Sequence, residues 1–299
     1  MKVASVGVFT AMAALIKASA EHIPPGEAVF FRSFFAIPVI IVWLGWRGDL
    51  KVGLKTNHPM SHFWRGLVGV VAMGCGFTAL GLLPFPEAVA ISYAAPLFAT
   101  VLAAMFLGEH IRLFRLSAVL VGLVGVAIVL YPNLTLIRAQ GVSTTQAAGA
   151  LVALMAALFA AMAQVFVRKL VNHERTAAIV FWFSVTAATL ALLTAPFGWQ
   201  VPTLQETAFL VSAGLLGGFG QILLTESYRH AETAVIASFE YSSMLLALAT
   251  GYFVFQEVPT ATMLAGAALI VAAGIFILYR ERRLGIERAR ARGAMTPQG

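Results

Sequence analysis

The chain has 299 residues, of which 60% are hydrophobic and only 11% charged, and its mean hydropathy is +0.87. Soluble domains carry roughly 25% charged residues, so this composition excludes an ordinary soluble domain and indicates an integral membrane protein. The formal net charge of +7 does not signal nucleic acid, because a patch that tracks phosphates must lie on one accessible face and these cations sit between apolar runs.

Taken in order, apolar runs long enough to cross ~30 Å of hydrocarbon predict ten helices, at 3–20, 27–46, 62–82, 86–108, 113–131, 147–170, 176–195, 205–228, 232–255 and 260–280. Pro24 and Pro25, Pro59, Pro84 and Pro86, Pro132 and Asn133, Pro196, Pro202 and Pro259 fall between runs or at helix starts, as breakers should. Lys2, the first apolar run and Ala18-Ser19-Ala20 also fit a cleavable signal. Lys17 interrupts that run, however, and losing it would leave four helices to match five in the second half.

That match is the strongest organising feature. The stretch PFPEAVAISYAAPLFATVLAAMFLGE from Pro84 to Glu109 returns in weakened form as ETAVIASFEYSSMLLALATGYFVFQE from Glu232 to Glu257. One register places Tyr93 on Tyr241 and Glu109 on Glu257. A second, slipped near the middle, places Ala88, Val89 and Ser92 on Ala234, Val235 and Ser238. An internal repeat fixes both halves at once, and five helices per half, an odd number, require the second half to enter from the opposite side. The predicted fold is all-α, ten transmembrane helices as a 5+5 inverted repeat: a first repeat over 1–131, a periplasmic connection over 132–146, a second repeat over 147–280 and a basic cytoplasmic tail over 281–299.

Orientation follows from the cations, which accumulate on the cytoplasmic side. With a cytoplasmic N-terminus, Lys2, Arg47, Lys51, Lys55, Arg65, Arg112, Arg115, Arg168, Lys169, Arg175, Arg229 and the tail arginines lie inside. Of the 20 Lys and Arg only Arg138 lies outside, and Lys17 and Arg32 lie within helices. Both termini are therefore expected in the cytoplasm, and the tail is expected to be a solvated anchor with affinity for anionic lipid.

Three features together resemble the drug/metabolite transporter superfamily, EamA type: the ten-helix inverted repeat, helices closing on Gly108-Glu109 and on Gln256-Glu257, and Arg32 in an aromatic-aliphatic second helix. The resemblance covers roughly 3–280. Within the superfamily, Phe239-Glu240-Tyr241 and Phe255-Gln256-Glu257-Val258-Pro259 are similar to bacterial amino-acid exporters, aromatic ones included. Ser92-Tyr93-Ala94-Ala95-Pro96-Leu97-Phe98 is also similar to the fourth helices of importers of riboflavin or S-adenosylmethionine. The resemblance implies a central cavity lined by helices 1–4 and 6–9, with helices 5 and 10 peripheral, in a bacterial inner membrane.

Inverted-repeat carriers place substrate near the midplane between the halves. Pro96 removes a backbone bond there and can hinge helix 4. Ser92 and Tyr93 lie one turn before it, and Ser238 and Tyr241 are their copies. Glu240, well inside helix 9, is costly unless it faces the bundle or water, which makes it a candidate for a substrate ammonium or a titrating group. Arg32 is a candidate for a carboxylate, although snorkelling or pairing with Glu27 or Glu87 also fits. Lys17 is the other candidate for that carboxylate, although, within a turn of its helix end, it fits snorkelling more simply. Gln164 in helix 6, Phe77 and Thr78 in helix 3, Trp182 in helix 7 and Phe219 with Gln221 in helix 8 supply further aromatic and polar points. Gly214 with Gly218 and Gly66 with Gly69 read as close-packing positions.

The six histidines lie in loops or at helix ends, Cys75 is the single cysteine and Asp49 the single aspartate. No metal cluster or histidine-based catalytic set is expected, nor any cofactor, serine elbow or ATP loop. The expectation is a non-enzymatic secondary carrier in a lipid bilayer that exports amino acids, down their gradient or coupled to protons. Alternatives are an importer of a metabolite such as riboflavin or S-adenosylmethionine, and a non-transporting membrane scaffold.

Overall fold

The computed structural model describes residues 1–107, 113–140, 145–171, 173–230 and 242–294, and these are helical almost throughout. The helices are α1 (Lys2–Ser19), α2 (Pro25–Phe34), α3 (Ala36–Trp46), the short α4 (Leu50–Gly53), α5 (Pro59–Leu82), α6 (Phe85–Ser92), α7 (Ala94–Leu107), α8 (Leu113–Gln140), α9 (Thr145–Val171), α10 (Thr176–Leu192), α11 (Leu204–His230), α12 (Ser242–Phe255) and α13 (Ala261–Ala294). With α2 joined to α3 and α6 to α7, the described residues form ten apolar spans, five of them long enough by length and composition to cross a membrane as they stand.

Local chemistry explains most boundaries. Proline stands at the first positions of α2, α5 and α6, where its fixed φ suits a helix and its missing N–H costs nothing. The start of α11 is a capping box, in which the Thr203 amide donates to Glu206 Oε2 and the Glu206 amide to Thr203 Oγ1. Spans two and four break at Phe35 and Tyr93, in each case three residues before a proline, Pro38 or Pro96. Each proline deprives the carbonyl four residues back of its partner.

Two segments are more helical than expected. The helix α8 continues through Pro132 to Gln140, into the stretch read as a connection, and α13 runs on to Ala294 through the basic tail. An isolated proline removes one backbone bond without ending a helix whose flanks favour it, and the Arg, Glu and Ala of the tail are good helix formers.

The packing shows the inverted repeat directly. The first span, α1, lies along α11, the third span of the second repeat, and α9, the first span of that repeat, lies along α5, the third span of the first. The remaining spans meet their own counterparts: α2 on α10, α6 on α12 and α8 on α13. The α1–α11 seam includes a buried bond from Ser5 Oγ to the Gly220 carbonyl, so α1 belongs to the core. Glycines permit the closest approaches, as expected for Gly214 and Gly218. A Cβ on Gly214 would stand 2.5 Å from Phe35 Cβ and 2.8 Å from the Phe31 carbonyl oxygen, and one on Gly218 2.9 Å from Ala36 Cα.

At the face that carries the N-terminus, Glu174 ties the two repeats together. Its Oε1 accepts from Thr56 Oγ1 (2.7 Å), the Asn57 amide (2.9 Å) and the His58 amide (3.1 Å), which precede α5. The His62 ring is 3.8 Å from Oε2. Burial alone pushes the Glu174 carboxyl up, but these hydrogen bonds and the His62 ring outweigh it and hold the group below the usual carboxylate range.

Replacing Gly214 with Val is expected to lower stability by about 1–3 kcal/mol through overpacking against α2, read as a drop in the melting temperature of the purified protein. For Glu174, a group whose pKa is depressed in the folded state stabilises at neutral pH and loses that contribution as pH falls. The stability difference between wild type and Glu174→Gln, on the order of 2 kcal/mol at neutral pH, should therefore shrink on acidification below the carboxylate range. A difference that is constant with pH would contradict this.

Candidate functional site

Among the described residues, two groups of charged side chains inside the bundle differ in how completely they are satisfied. The first is at the face opposite the N-terminus. Lys17, at the end of α1, does not snorkel: its Nζ is 2.9 Å from Glu257 Oε1 and donates to the carbonyls of Leu83 (2.6 Å) and Leu80 (3.3 Å) at the end of α5. It also stands 5.3 Å from the centroid of the Phe255 ring. Glu257 Oε2 accepts the Phe85 amide at 2.6 Å, the opening donor of α6. The chain reaches this position because Gln256 adopts a left-handed backbone, φ 55°, and the Glu257 amide turns back to the Gly251 carbonyl. One ion pair thus joins α1, α5, α6 and the end of α12, with helix-end groups of both signs satisfied by it.

The second group lies where α2, α5 and α10 meet. Arg32 is 1% exposed and Arg65 6%, and their guanidinium carbons stand 5.4 Å and 3.6 Å from the centroid of the same ring, Phe183 of α10. Gly69 on α5 makes room for this stack, since a Cβ there would lie 2.7 Å from the Phe183 ring and 3.0 Å from Arg65 Nη1. Gly217 on α11 does the same for Arg32, with a Cβ 2.9 Å from its Nε. Nε and Nη1 of both arginines have no hydrogen-bond partner among the described residues. Arg32 does not use Glu27, whose carboxylate accepts the Gln200 amide at 3.0 Å.

Arg65, counted among the cytoplasmic-side cations, is buried in α5, six residues from the helix start. It falls within the predicted span 62–82, and an ionisable residue inside a span is the signal that finds it. Phe183 carries no such signal in the sequence.

The structure distributes the other predicted site residues more widely. Tyr93 is buried and its hydroxyl bonds to Ser243 Oγ, linking α6–α7 to α12. Ser92 is exposed and bonds to the Val89 carbonyl of its own helix, and Pro96 is half-buried just past the break. Phe77 packs in the main core, and Thr78 donates to the Gly74 carbonyl. Trp182 is placed elsewhere, its Nε1 donating to the Leu54 carbonyl at 3.0 Å and holding the loop after α4. Phe219 is also away from both groups, half exposed beside Leu215 on the face of α11 turned from α1, α2 and α3. Gln221, half-buried, lies one turn beyond Gly217 on the packed face. Gln164 is half-buried in α9. Ser238, Glu240, Tyr241 and Glu109 lie outside the described residues.

Comparison with known proteins assigns this architecture. The EamA-like transporter family model matches twice, over residues 3–131 and 147–279. The chain is 29% identical over 292 residues to the S-adenosylmethionine uptake transporter of Rickettsia bellii, covering 95% of this chain and 97% of the relative. It is 31% identical over 271 residues to the pseudopaline exporter of Pseudomonas aeruginosa, covering 89% and 90%. It is 26% identical over 268 residues to the riboflavin transporter of Vibrio cholerae, covering 87% and 85%. A solved structure titled only as the crystal structure of a protein shares the fold at a TM-score of 0.66 and 23% identity, covering 94% of this chain and 98% of that one. With two family matches spanning both repeats and relatives that are transporters over nearly their whole length, the chain belongs to the EamA-like transporter family and is a multi-pass membrane transporter.

Proposed function

We propose that this protein is a secondary carrier for an amino acid or an amino-acid-derived metabolite, working by alternating access between two five-helix repeats, 1–131 and 147–280, with both termini in the bacterial cytoplasm. The observation that carries the reading is Arg32, a guanidinium buried between α2 of one repeat and α10 and α11 of the other with no acceptor on Nε or Nη1 among the described residues. A cation in that position suits a substrate carboxylate, held bidentately. Glu240 is the counterpart proposed for the substrate ammonium, and protons are the proposed coupling ion. Lys17 is not the carboxylate ligand in this scheme, because Glu257 occupies it. The Lys17–Glu257 pair instead acts as a latch at the face opposite the N-terminus, and it opens when that side of the cavity opens.

A second reading, uptake of S-adenosylmethionine, riboflavin or a related metabolite, is favoured by relatives with those names at comparable identity. Relatives include both an importer and an exporter, so family membership does not choose the direction.

Uptake of labelled phenylalanine, threonine, riboflavin and S-adenosylmethionine into proteoliposomes separates the readings. Transport of one or more amino acids is expected, with a loss on the order of tenfold or more in Arg32→Gln, since one charge-assisted contact contributes ~1.5–3 kcal/mol. Entry of riboflavin alone, undiminished in Arg32→Gln, would replace the first reading by the second. The latch makes a separate prediction. Backbone amides around Phe85 and Glu257 should exchange hydrogen faster in Lys17→Met and in Glu257→Gln, and the double variant should exchange no faster than either single one. Additive effects would show that the two side chains act independently.

A further inference from the structure

Every buried side-chain nitrogen or oxygen without a hydrogen-bond partner among the described residues lies on α2, α5 or α10: Arg32, Ser33, His62, Arg65 and Thr176, and of these His62 faces the Glu174 carboxylate at 3.8 Å. These three helices pack on one another, so the unsatisfied atoms are not scattered defects but gather where the helices meet. Buried polar groups are almost always bonded, and a group of them left open in one place calls for a missing partner.

The signs of the charges say what that partner is. Arg32 and Arg65 bring two positive charges to one aromatic ring, in surroundings where desolvation is costly and like charges repel strongly. No described carboxylate answers them. Glu27 is turned to the Gln200 amide, and Glu174 is engaged by Thr56, Asn57 and His58. The ring of Phe183 offers its face to both cations but cannot neutralise them. A ligand with a single carboxylate satisfies one guanidinium and leaves the other as it was. Two guanidiniums brought to one ring offer two donor forks, so a ligand with two anionic groups suits the pair better than one compact ion.

We infer that the junction of α2, α5 and α10 is a binding site for a small metabolite carrying two carboxylates, one held by Arg32 and one by Arg65. Planar guanidinium forks match carboxylates in two-point fashion, which lysine does not. The site draws on both repeats, and that is where an inverted-repeat carrier holds its cargo. The inference rests on the proposed transport of amino-acid metabolites and narrows it to acidic ones.

The test is binding to the purified full-length protein, with L-glutamate, succinate, succinate monomethyl ester, L-phenylalanine and inorganic phosphate as probes. Glutamate and succinate should bind at least tenfold tighter than the monoester, phenylalanine or phosphate. Arg65→Lys, which keeps the charge and loses the fork, should weaken succinate at least tenfold more than it weakens phenylalanine. Equal affinity for succinate and its monoester, a preference for phosphate, or an Arg65→Lys protein with unchanged ranking would overturn the assignment. Should the variant not fold, the wild-type ranking of succinate against its monoester decides alone. Transport of amino acids without any dicarboxylate preference sinks this inference and leaves the transport reading standing. Tight dicarboxylate binding with no transport of any probe does the reverse.

Discussion

A charge inside an apolar helical bundle must be matched where it stands, because water is not there to do it. This protein meets that constraint in two ways. Lys17 and Glu257 match each other, and each then completes its valence on helix ends, the ammonium on the carbonyls of Leu80 and Leu83 and the carboxylate on the amide of Phe85. Nothing further is required there, which is the mark of a structural contact. Arg32 and Arg65 share one aromatic ring, and among the described residues no group accepts from their Nε or Nη1. The fold thus solves the problem at one face and, among the described residues, leaves those atoms without an acceptor between the repeats, which is the observation behind the proposed ligand site.

The backbone is organised around the same region. In a membrane, interrupted helices persist only where the freed groups face protein or a cavity. Both interruptions in the described part of the first repeat, at Phe35 and Tyr93, lie in spans that pack on their second-repeat counterparts, α2 on α10 and α6 on α12. The Phe35 break falls one turn beyond Arg32, and a Cβ on Gly214 would meet Phe35 itself. Smooth glycine backbone of α11 thus covers the irregular backbone of α2. The counterpart α10 has no proline within it and is continuous, so the two repeats are related in packing but not in local stiffness.

Architecture was legible in the sequence because hydrocarbon thickness and the odd helix count leave few alternatives. The spans, the repeat and the close-packing role of Gly214 and Gly218 all follow from residue type and spacing. Side-chain partners were less legible, for identifiable reasons. Lys17 and Glu257 each stood out, but nothing local links residues so far apart in the chain, and a lysine one turn from a helix end looks the same whether it snorkels or pairs. Arg65 was masked by its neighbourhood, since helix α5 begins at Pro59 rather than at 62 and so carries a cation counted with the cytoplasmic set well into the bundle. Trp182 and Phe219 lie away from both charged groups, because aromatic type does not report which face of a helix is turned inward; for Phe219 the glycines Gly214, Gly217 and Gly218 on the opposite side are the better indicator.

Inversion of the repeat does not make the two faces chemically equal. The part of α9 that corresponds in position to Lys17 is Ala160 to Val165, and it holds no charged residue. An ion pair like the one between Lys17 and Glu257 therefore has no cationic half at the equivalent place in the second repeat. At the N-terminal face the link between repeats is made instead by Glu174, whose carboxylate holds the Thr56 hydroxyl and the amides that lead into α5. Breaking the first link separates two opposite charges, whereas breaking the second exposes backbone donors and a carboxylate whose proton affinity is already lowered. The carrier is thus held at its two faces by contacts of different chemistry, and Arg32 and Arg65 lie between them.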